Sequence, residues 1–552
     1  MKKPPKTNAG QSAAPDTSRA DTAASPPATN GSFDLIAATR RVFARLDAAG
    51  YNPLRDRWLW IAAGLISLLC YGYEISSFSL SIDEELHSFQ QAATWKAWLT
   101  QGRWGMALIT YLIPPMGGLP FLPTLLFCVG LSFSAVLFSA SLRTDRRAAF
   151  VFVALFVSCP IWPHIGEFNT FSSGFVIGLA LCAAAALVTY GQGMRGAILA
   201  GILLTVSIAI YQTLVLNYMA IVMIVALRGI PEESSSTRSD RSGLQTLLFL
   251  PAGIATASLV LYVAISKLAL FATGSALTYI QDWLQVSELL TAQNAGRSRM
   301  LAKSWALLSG SDPAYLGSGP VVLLLSWMGV AAAIWKLFSF GATSASRRLA
   351  EIGVVLGAVA LALTPVVLSS GRIPIRALVA FPLVYAVLAC GAFLRYRLAN
   401  AVCWFLIVLA VLTNSWIATS LFYSDTMARQ RDAQVAATLI PRVEALGRTK
   451  PGSTIRLTMA GTMAYKSSGT FYRVEIFGTS FFEHNGGNIW RVVQYLKLMG
   501  LENVSPVGLT EIPASISRIE SMPVWPDPES VALIDGVVVV KFGDITDSQR
   551  LR

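Results

Sequence analysis

The chain has 552 residues, of which 54% are hydrophobic and only 13% charged, with a formal net charge of +12. A soluble globular domain carries roughly 25% charged residues, so that class does not fit. The basic excess does not point to a nucleic-acid partner, because no zinc-finger, recognition-helix or RNA-binding signature accompanies it.

From the N-terminus, residues 1–40 form a tail rich in Ala, Ser, Thr and Pro, too poor in apolar surface to fold and expected to be disordered. No apolar stretch follows Lys2, Lys3 and Lys6 closely enough for a signal peptide. Runs of about 20 apolar residues, the thickness of a bilayer core, then recur and predict about eleven spans. They lie near 57–73, 121–141, 148–163, 171–190, 196–210, 213–228, 244–271, 318–337, 350–369, 377–394 and 401–422. The stretch 196–228 is too long for one span and divides at Tyr211 and Gln212. Segment 104–113 is apolar but stops at Pro114 and Pro115, so it is either interfacial or re-entrant, or the first half of the second span.

Arginines supply the orientation. Arg41, Arg45, Arg55 and Arg57, then Arg143, Arg146 and Arg147, Arg195, Arg228, Arg238 and Arg241, Lys336, Arg347 and Arg348, and Arg395 and Arg397 all fall on one side of such a topology. The positive-inside rule makes that side cytoplasmic. The N-terminus is then inside, and segments 74–103, 164–170, 272–317, 370–376 and 423–552 are outside. Two outer stretches, 86–101 (with Phe89, Ala92, Trp95 and Leu99 at helical spacing) and 278–308, are amphipathic enough to lie on the membrane. Past 422 the pattern changes. Residues 424–446 read as an amphipathic helix, 455–459 and 537–542 as strands, and 488–499 as a helix with Asn488 as N-cap and Gly500 as stop. The predicted organisation is a cytoplasmic tail (1–40), a membrane domain (41–422, first outer loop 74–103) and a small extracytoplasmic α+β domain (423–552).

Polar residues at the outer ends of spans are the candidates for chemistry. The first outer loop contains Ser81-Ile82-Asp83-Glu84-Glu85-Leu86-His87. Three adjacent acids are too costly for lipid and shift one another's pKa, which suits a general base; the plainer alternative is a helix start capped by Asp83. Arg372 and Arg376, in the short loop 370–376, run against the positive-inside rule and suit a lipid phosphate held bidentately, or else ordinary headgroups. Arg103 is also outside, as are Arg297, Arg299 and Lys303, which read as headgroup contacts or salt bridges to an acid of the first loop. Glu167 and Asn169 are candidates for sugar hydroxyls or a helix cap, and Tyr211 and Gln212 for a sugar contact or a helix break. The glycine-rich loop 478–487 suits carbohydrate, with His484 read as structural. The six cysteines lie in apolar segments, without CxxC spacing, and the three histidines are scattered, so neither a disulfide framework nor a metal cluster is expected. No P-loop, dinucleotide fingerprint or serine elbow occurs.

Three features resemble the type II family of bacterial and phage-borne O-antigen glucosyltransferases, within the membrane-embedded C-type glycosyltransferase superfamily. They are the acids of 81–85, the following Trp98-Leu99 and Gly102-Arg103-Trp104-Gly105, and the run Phe477-Gly478-Thr479-Ser480-Phe481-Phe482 with Gly486-Gly487-Asn488 leading into 491–501. The resemblance implies an inverting transferase in the bacterial inner membrane, with a polyprenyl-phosphate sugar as donor, a cell-surface polysaccharide as acceptor, and a donor synthase and flippase as functional partners. An acid of the first loop would be the base: Asp83 first, then Glu84 or Glu85. Arg372 and Arg376 would face the donor phosphate, with Arg103 as a supporting or structural residue and Trp104 among the substrate-binding candidates. No metal is required by this scheme, although some relatives use a divalent ion (Mg or Mn). The rival readings are a flippase for lipid-linked saccharide, which needs polar groups at the midplane, and a non-catalytic scaffold, which leaves the acids without a role.

Overall fold

The computed structural model describes residues 50–77, 79–88, 91–113, 118–190, 193–228, 238–277, 294–338, 345–395, 400–448 and 452–550, with 44, 46 and 47 ahead of them. The predicted tail, Arg41, Arg45, Arg397 and the first part of the amphipathic stretch 278–308 lie outside the described residues.

Apolar runs become helices because hydrocarbon offers backbone N–H and C=O groups no partner outside their own segment. In chain order the helices are α1 (Arg57–Ser76), α2 (Glu84–His87), α3 (Gln91–Thr100), α4 (Trp104–Leu112), α5 (Leu122–Leu142), α6 (Arg146–Ser158), α7 (Pro163–Gly166), α8 (Ser172–Thr189), α9 (Gly193–Ile210), α10 (Leu214–Arg228), α11 (Arg238–Thr273), α12 (Asn294–Ser309), α13 (Gly319–Phe338), α14 (Ala345–Leu368), α15 (Phe381–Arg395) and α16 (Asn400–Gly447). Every predicted span coincides with a helix. Among the described residues seven are long and apolar enough to cross a membrane: α1, α5, α8, α9, α16 and the apolar stretches Phe249–Thr273 of α11 and Leu349–Leu368 of α14. Shorter apolar stretches occupy α10, α13 and α15. The protein is a helical membrane protein. In the bundle α5 packs between α1 and α8, α9 packs against α8 and α11, and α15 packs against α6 and α13.

Two segments differ from expectation or narrow it. Helix α4 has 9 residues, about 13 Å at 1.5 Å per residue, too short to span. The chain after it returns to the acid loop, where a Cβ placed on Gly118 would lie 3.5 Å from Ser88 Oγ; segment 104–113 is therefore not half of a span. Second, the predicted break between a span ending at 422 and a helix starting at 424 is absent, and α16 runs unbroken for 48 residues, about 72 Å. The charged residues that suggest an end are buried and paired: Arg429 bonds Asp432 at 2.8 Å and Asp425 at 3.2 Å.

The far half of α16 packs on a sheet of four strands, β1 (Ile455–Ala460), β2 (Val504–Pro506), β3 (Val531–Ile534) and β4 (Val537–Lys541). The order is β2-β1-β4-β3. Strand β1 is parallel to both β2 and β4, with Leu457 opposite Pro506 and Val538, and β3 is antiparallel to β4. Helix α17 (Ile489–Leu498) begins at Asn488, whose side chain accepts from the N–H groups of Trp490 and Arg491. Ile82 of the acid loop is buried within this C-terminal core, alongside Phe481, Phe482 and Val492.

The two ends of the bundle are chemically distinct. Asp56, just before α1, accepts from Arg146 Nε at 2.7 Å at the start of α6, so Arg143, Arg146 and Arg147 lie at the end of the bundle where α1 begins. The acid loop follows the other end of α1.

Candidate functional site

A polar cavity of about 660 Å³ opens where the acid loop, the turn before α8, the α9–α10 junction and the loop after α14 meet the C-terminal region. That is the size of a small-molecule site, roughly 300–1,000 Å³. Asp83, Arg103, Tyr211, Arg372 and Arg376 line it, and so do Glu475, His484 and Arg491 from beyond α16.

The three acids divide into different positions. Asp83 is at the N-cap position of α2 but makes no cap bond, and its backbone is left-handed, with φ 90°; such a conformation costs about 1–2 kcal/mol outside glycine, less for Asp. Its side chain is 40% exposed, whereas that of Glu85 is 0% exposed, and Glu84 is also fully buried. Arg491 fastens the loop. Its guanidinium donates to Asp83 Oδ1 at 2.7 Å and its Nε to Glu85 Oε1 at 2.7 Å. Glu85 Oε2 in turn accepts the Asp83 N–H at 2.8 Å. Burial works to raise the Asp83 pKa, but the Arg491 guanidinium, and after it Arg376, outweigh burial and hold the carboxyl below its ordinary value. Glu84 faces away from the cavity, accepting from the Ser81 N–H at 3.2 Å and the Asn169 N–H at 3.1 Å. Burial pushes it up to about 8, tempered by those two donors.

The cations stand around this carboxylate. Arg103 lies in a cage of three rings, its guanidinium carbon 4.8 Å from the Tyr211 centroid, 5.4 Å from Phe171 and 5.7 Å from Trp98. Arg376 stacks over Phe168 at 4.9 Å. Aromatic faces hold each guanidinium in place beside the cavity. Arg372 is exposed at the rim. The loop that carries both arginines turns at Gly371, where φ is +82° and an added Cβ would lie 2.8 Å from the backbone of Arg299. Gly371→Ala is expected to displace this loop and, because it carries both arginines, to lower kcat/KM several-fold through kcat as well as KM, measured by initial rates in detergent micelles.

Other residues named from the sequence have supporting positions. Gln212 donates to Gln101 O at 2.9 Å, and Tyr262, bonded to Gln212, donates to Gly102 O at 2.9 Å, which fixes the turn that presents Arg103. Asn169 is buried against Glu84 and Thr124. Glu167 is 2% exposed and lies behind the cavity near Asp425 and Glu74. Trp104 opens α4, half-buried in the core rather than on the cavity wall. None of these four lines the cavity.

Three cavity residues were not singled out as ligands from sequence. Glu475 is buried on one side, where it accepts the Ile375 N–H and stands 3.6 Å from His164 Nδ1. It too has a left-handed backbone, φ 53°. Burial works to raise its pKa, but the His164 ring, the Ile375 N–H and Arg376 outweigh it and hold the carboxyl low. His484, expected to be structural, is on the wall; burial, then Arg491, pulls it down to about 4, so it is neutral at pH 7. Arg491 carried one available signal: it sits four residues before Tyr495 on the face of α17 that is buried, an odd place for a guanidinium without a partner.

The acids do not form a cation-binding set. Arg491 occupies oxygens of both Asp83 and Glu85, and among the described residues no three His, Cys, Asp or Glu side chains are grouped as metal ligands. The arrangement supplies two partly exposed carboxylates, Asp83 and Glu475, facing several guanidiniums, suited to proton abstraction beside a phosphate.

Comparison with known proteins agrees in kind. Residues 72–393 match the family model described as Glucosyl transferase GtrII. No curated protein and no solved structure matches the chain. Glu475, His484 and Arg491 all lie beyond the matched segment.

Proposed function

Because the chain belongs to the glucosyl transferase GtrII family, we propose that it transfers glucose from a polyprenyl-phosphate donor to a hydroxyl of a cell-surface polysaccharide such as O-antigen. The observation that carries this reading is the single cavity shared by the Asp83 carboxylate and the guanidiniums of Arg103, Arg372 and Arg376.

The chemistry follows from that juxtaposition. Asp83 is ionised at neutral pH, and with Oδ1 held by Arg491 its second oxygen is left for the O–H of the acceptor. As the proton passes to Asp83, the acceptor oxygen attacks the anomeric carbon from the face opposite the phosphate. The bond from that carbon to the phosphate oxygen breaks, its electron pair leaves with the polyprenyl phosphate, and the anomeric configuration inverts. Negative charge grows on the leaving phosphate, where Arg372 and Arg376 stabilise it, with Arg103 behind them; fixed cations aimed at developing charge are among the largest catalytic contributions. His484 and Glu475 are positioned for sugar hydroxyls.

The geometry also supports an orientation. The arginine-rich turns and the cavity belong to opposite ends of the bundle, so a cytoplasmic arginine side puts the cavity at the outer face of the inner membrane, with about eleven spans and residues 423–552 in the periplasm. Nucleotide sugars do not reach that face, which is why the donor is a lipid made by a synthase and turned over by a flippase.

Mass spectrometry of surface polysaccharide from cells with and without the protein tests the assignment: one added hexose per repeat is expected, and an unchanged polysaccharide, or movement of the lipid without transfer, refutes it. Because Arg491 already neutralises Asp83 and Glu85, holding one oxygen of each, washing purified protein with EDTA is expected to leave the transfer rate within about twofold, checked with and without added Mg²⁺ or Mn²⁺.

A further inference from the structure

A second cavity, of about 850 Å³, runs along the flank of the bundle between α1, α4, α5 and α8. We propose that this furrow holds the hydrocarbon chain of the donor while its phosphate and sugar lie in the polar cavity. The inference rests on the lipid-phosphate donor proposed above and adds where the lipid lies.

Continuity is the first reason. His87 and Thr170 line both the furrow and the polar cavity, so one molecule passing between them would place a polar head beside Asp83 and a tail against α5 and α8. His87 is held there by stacking on Trp98, with centroids 6.1 Å apart, and Trp98 also walls the polar cavity.

The second reason is wall chemistry. Leu125, Val129, Phe133 and Ile177 present apolar side chains, and the polar atoms of Ser67 and Thr110 are turned into the protein: Ser67 Oγ bonds Ser132 Oγ at 2.8 Å, and Thr110 Oγ1 bonds Met106 O at 2.9 Å. Such walls suit hydrocarbon and give a peptide or sugar few groups to bond.

Length is the third. From Thr170 to Ala184 the furrow follows α8 for about 20 Å at 1.5 Å per residue, much of the roughly 30 Å hydrocarbon core. It is therefore suited to several isoprene units. Its floor is open where it needs to be: Gly64 lies on the wall, and a Cβ added there meets nothing within 4 Å.

Gly64→Leu fills the furrow without touching the polar cavity. Two donors are compared in proteoliposomes, full-length polyprenyl-phosphate glucose and an analogue cut to two isoprene units. The variant is expected to raise the KM of the long donor about tenfold while leaving the short donor within about twofold, the loss reflecting hydrocarbon contact alone. Equal effects on both donors overturn the proposal. Should the variant fail to fold, a full-length polyprenyl phosphate bearing a diazirine at its tail end is photolysed with the wild-type protein. Adducts on α5 and α8, competed by unlabelled polyprenyl phosphate but not by phosphatidylglycerol, support the furrow; adducts elsewhere, or equal competition by phosphatidylglycerol, overturn it. If the wild-type protein uses neither donor, the transferase reading itself fails, which is distinguishable from failure of the furrow.

Discussion

Asp83→Asn is expected to lower glucosyl transfer by about 10²–10⁴-fold, the usual contribution of a positioned general base, with expression little changed and the unfolding midpoint lowered only by the lost charge of the Asp83–Arg491 pair. The amide keeps the size of the side chain and an oxygen for Arg491, but it cannot take a proton. The neighbouring acids separate this effect from simple disturbance of the loop. Glu84 faces the Ser81 and Asn169 N–H groups rather than the cavity, and Glu84→Gln is expected to retain activity within a few-fold. Glu475→Gln is the sharper control, since its carboxylate also reaches the cavity: it is expected to change KM more than kcat. A profile in which Glu475→Gln abolishes kcat and Asp83→Asn does not would move the base to Glu475.

The second large effect concerns Arg491. Removing it with Arg491→Ala leaves Glu85, fully buried, without the guanidinium it pairs with, and breaking a buried pair on one side costs about 3–5 kcal/mol. A lower unfolding midpoint is therefore expected, but a purely structural residue would give that too. The pH profile discriminates. With Arg491 present the Asp83 carboxyl ionises below its ordinary value, despite burial. Its contribution to folding is then complete above the unfolded value, near pH 4, and is lost as pH falls through the lower folded value. Without Arg491 burial prevails and the Asp83 pKa rises, so the acid limb of kcat/KM is expected to move to higher pH. Arg491→Lys keeps the charge but not the two-pronged geometry, so it is expected to fold normally and shift the limb less. An unmoved limb in both variants, with Asp83 still required, would remove Arg491 from the catalytic scheme.

Much of this site was readable from one sequence because a bilayer penalises polar groups. Asp83, Arg103, Tyr211, Arg372 and Arg376 each interrupt or end an apolar run, and helices of alternating direction carry such ends to a common level. The same logic placed a helix on every predicted span. It put a break near 423 into what is one continuous helix, α16, because Asp425, Arg429 and Asp432 look like solvent-facing charges in a row although they are buried and satisfy one another. Strands β2 and β3, of 3 and 4 residues, are too short to show alternation. Gln212, Asn169, Glu167 and Trp104 have the composition of ligands but lie off the cavity wall, a distinction that depends on which way a side chain turns. Arg491 and His484 were hardest to assign, since local spacing says nothing about a partner hundreds of residues away.

That distance sets a timetable. Arg491 follows Asp83 by 408 positions, and Ile82 is buried in a core built from residues beyond 430. At about 5–20 residues per second a ribosome needs on the order of 20–80 seconds to cover that interval. Throughout it the first loop has neither its guanidinium nor its apolar seat. A half-made chain thus cannot transfer sugar, and competence arrives late, when the last portion of the polypeptide closes over a membrane bundle already in place.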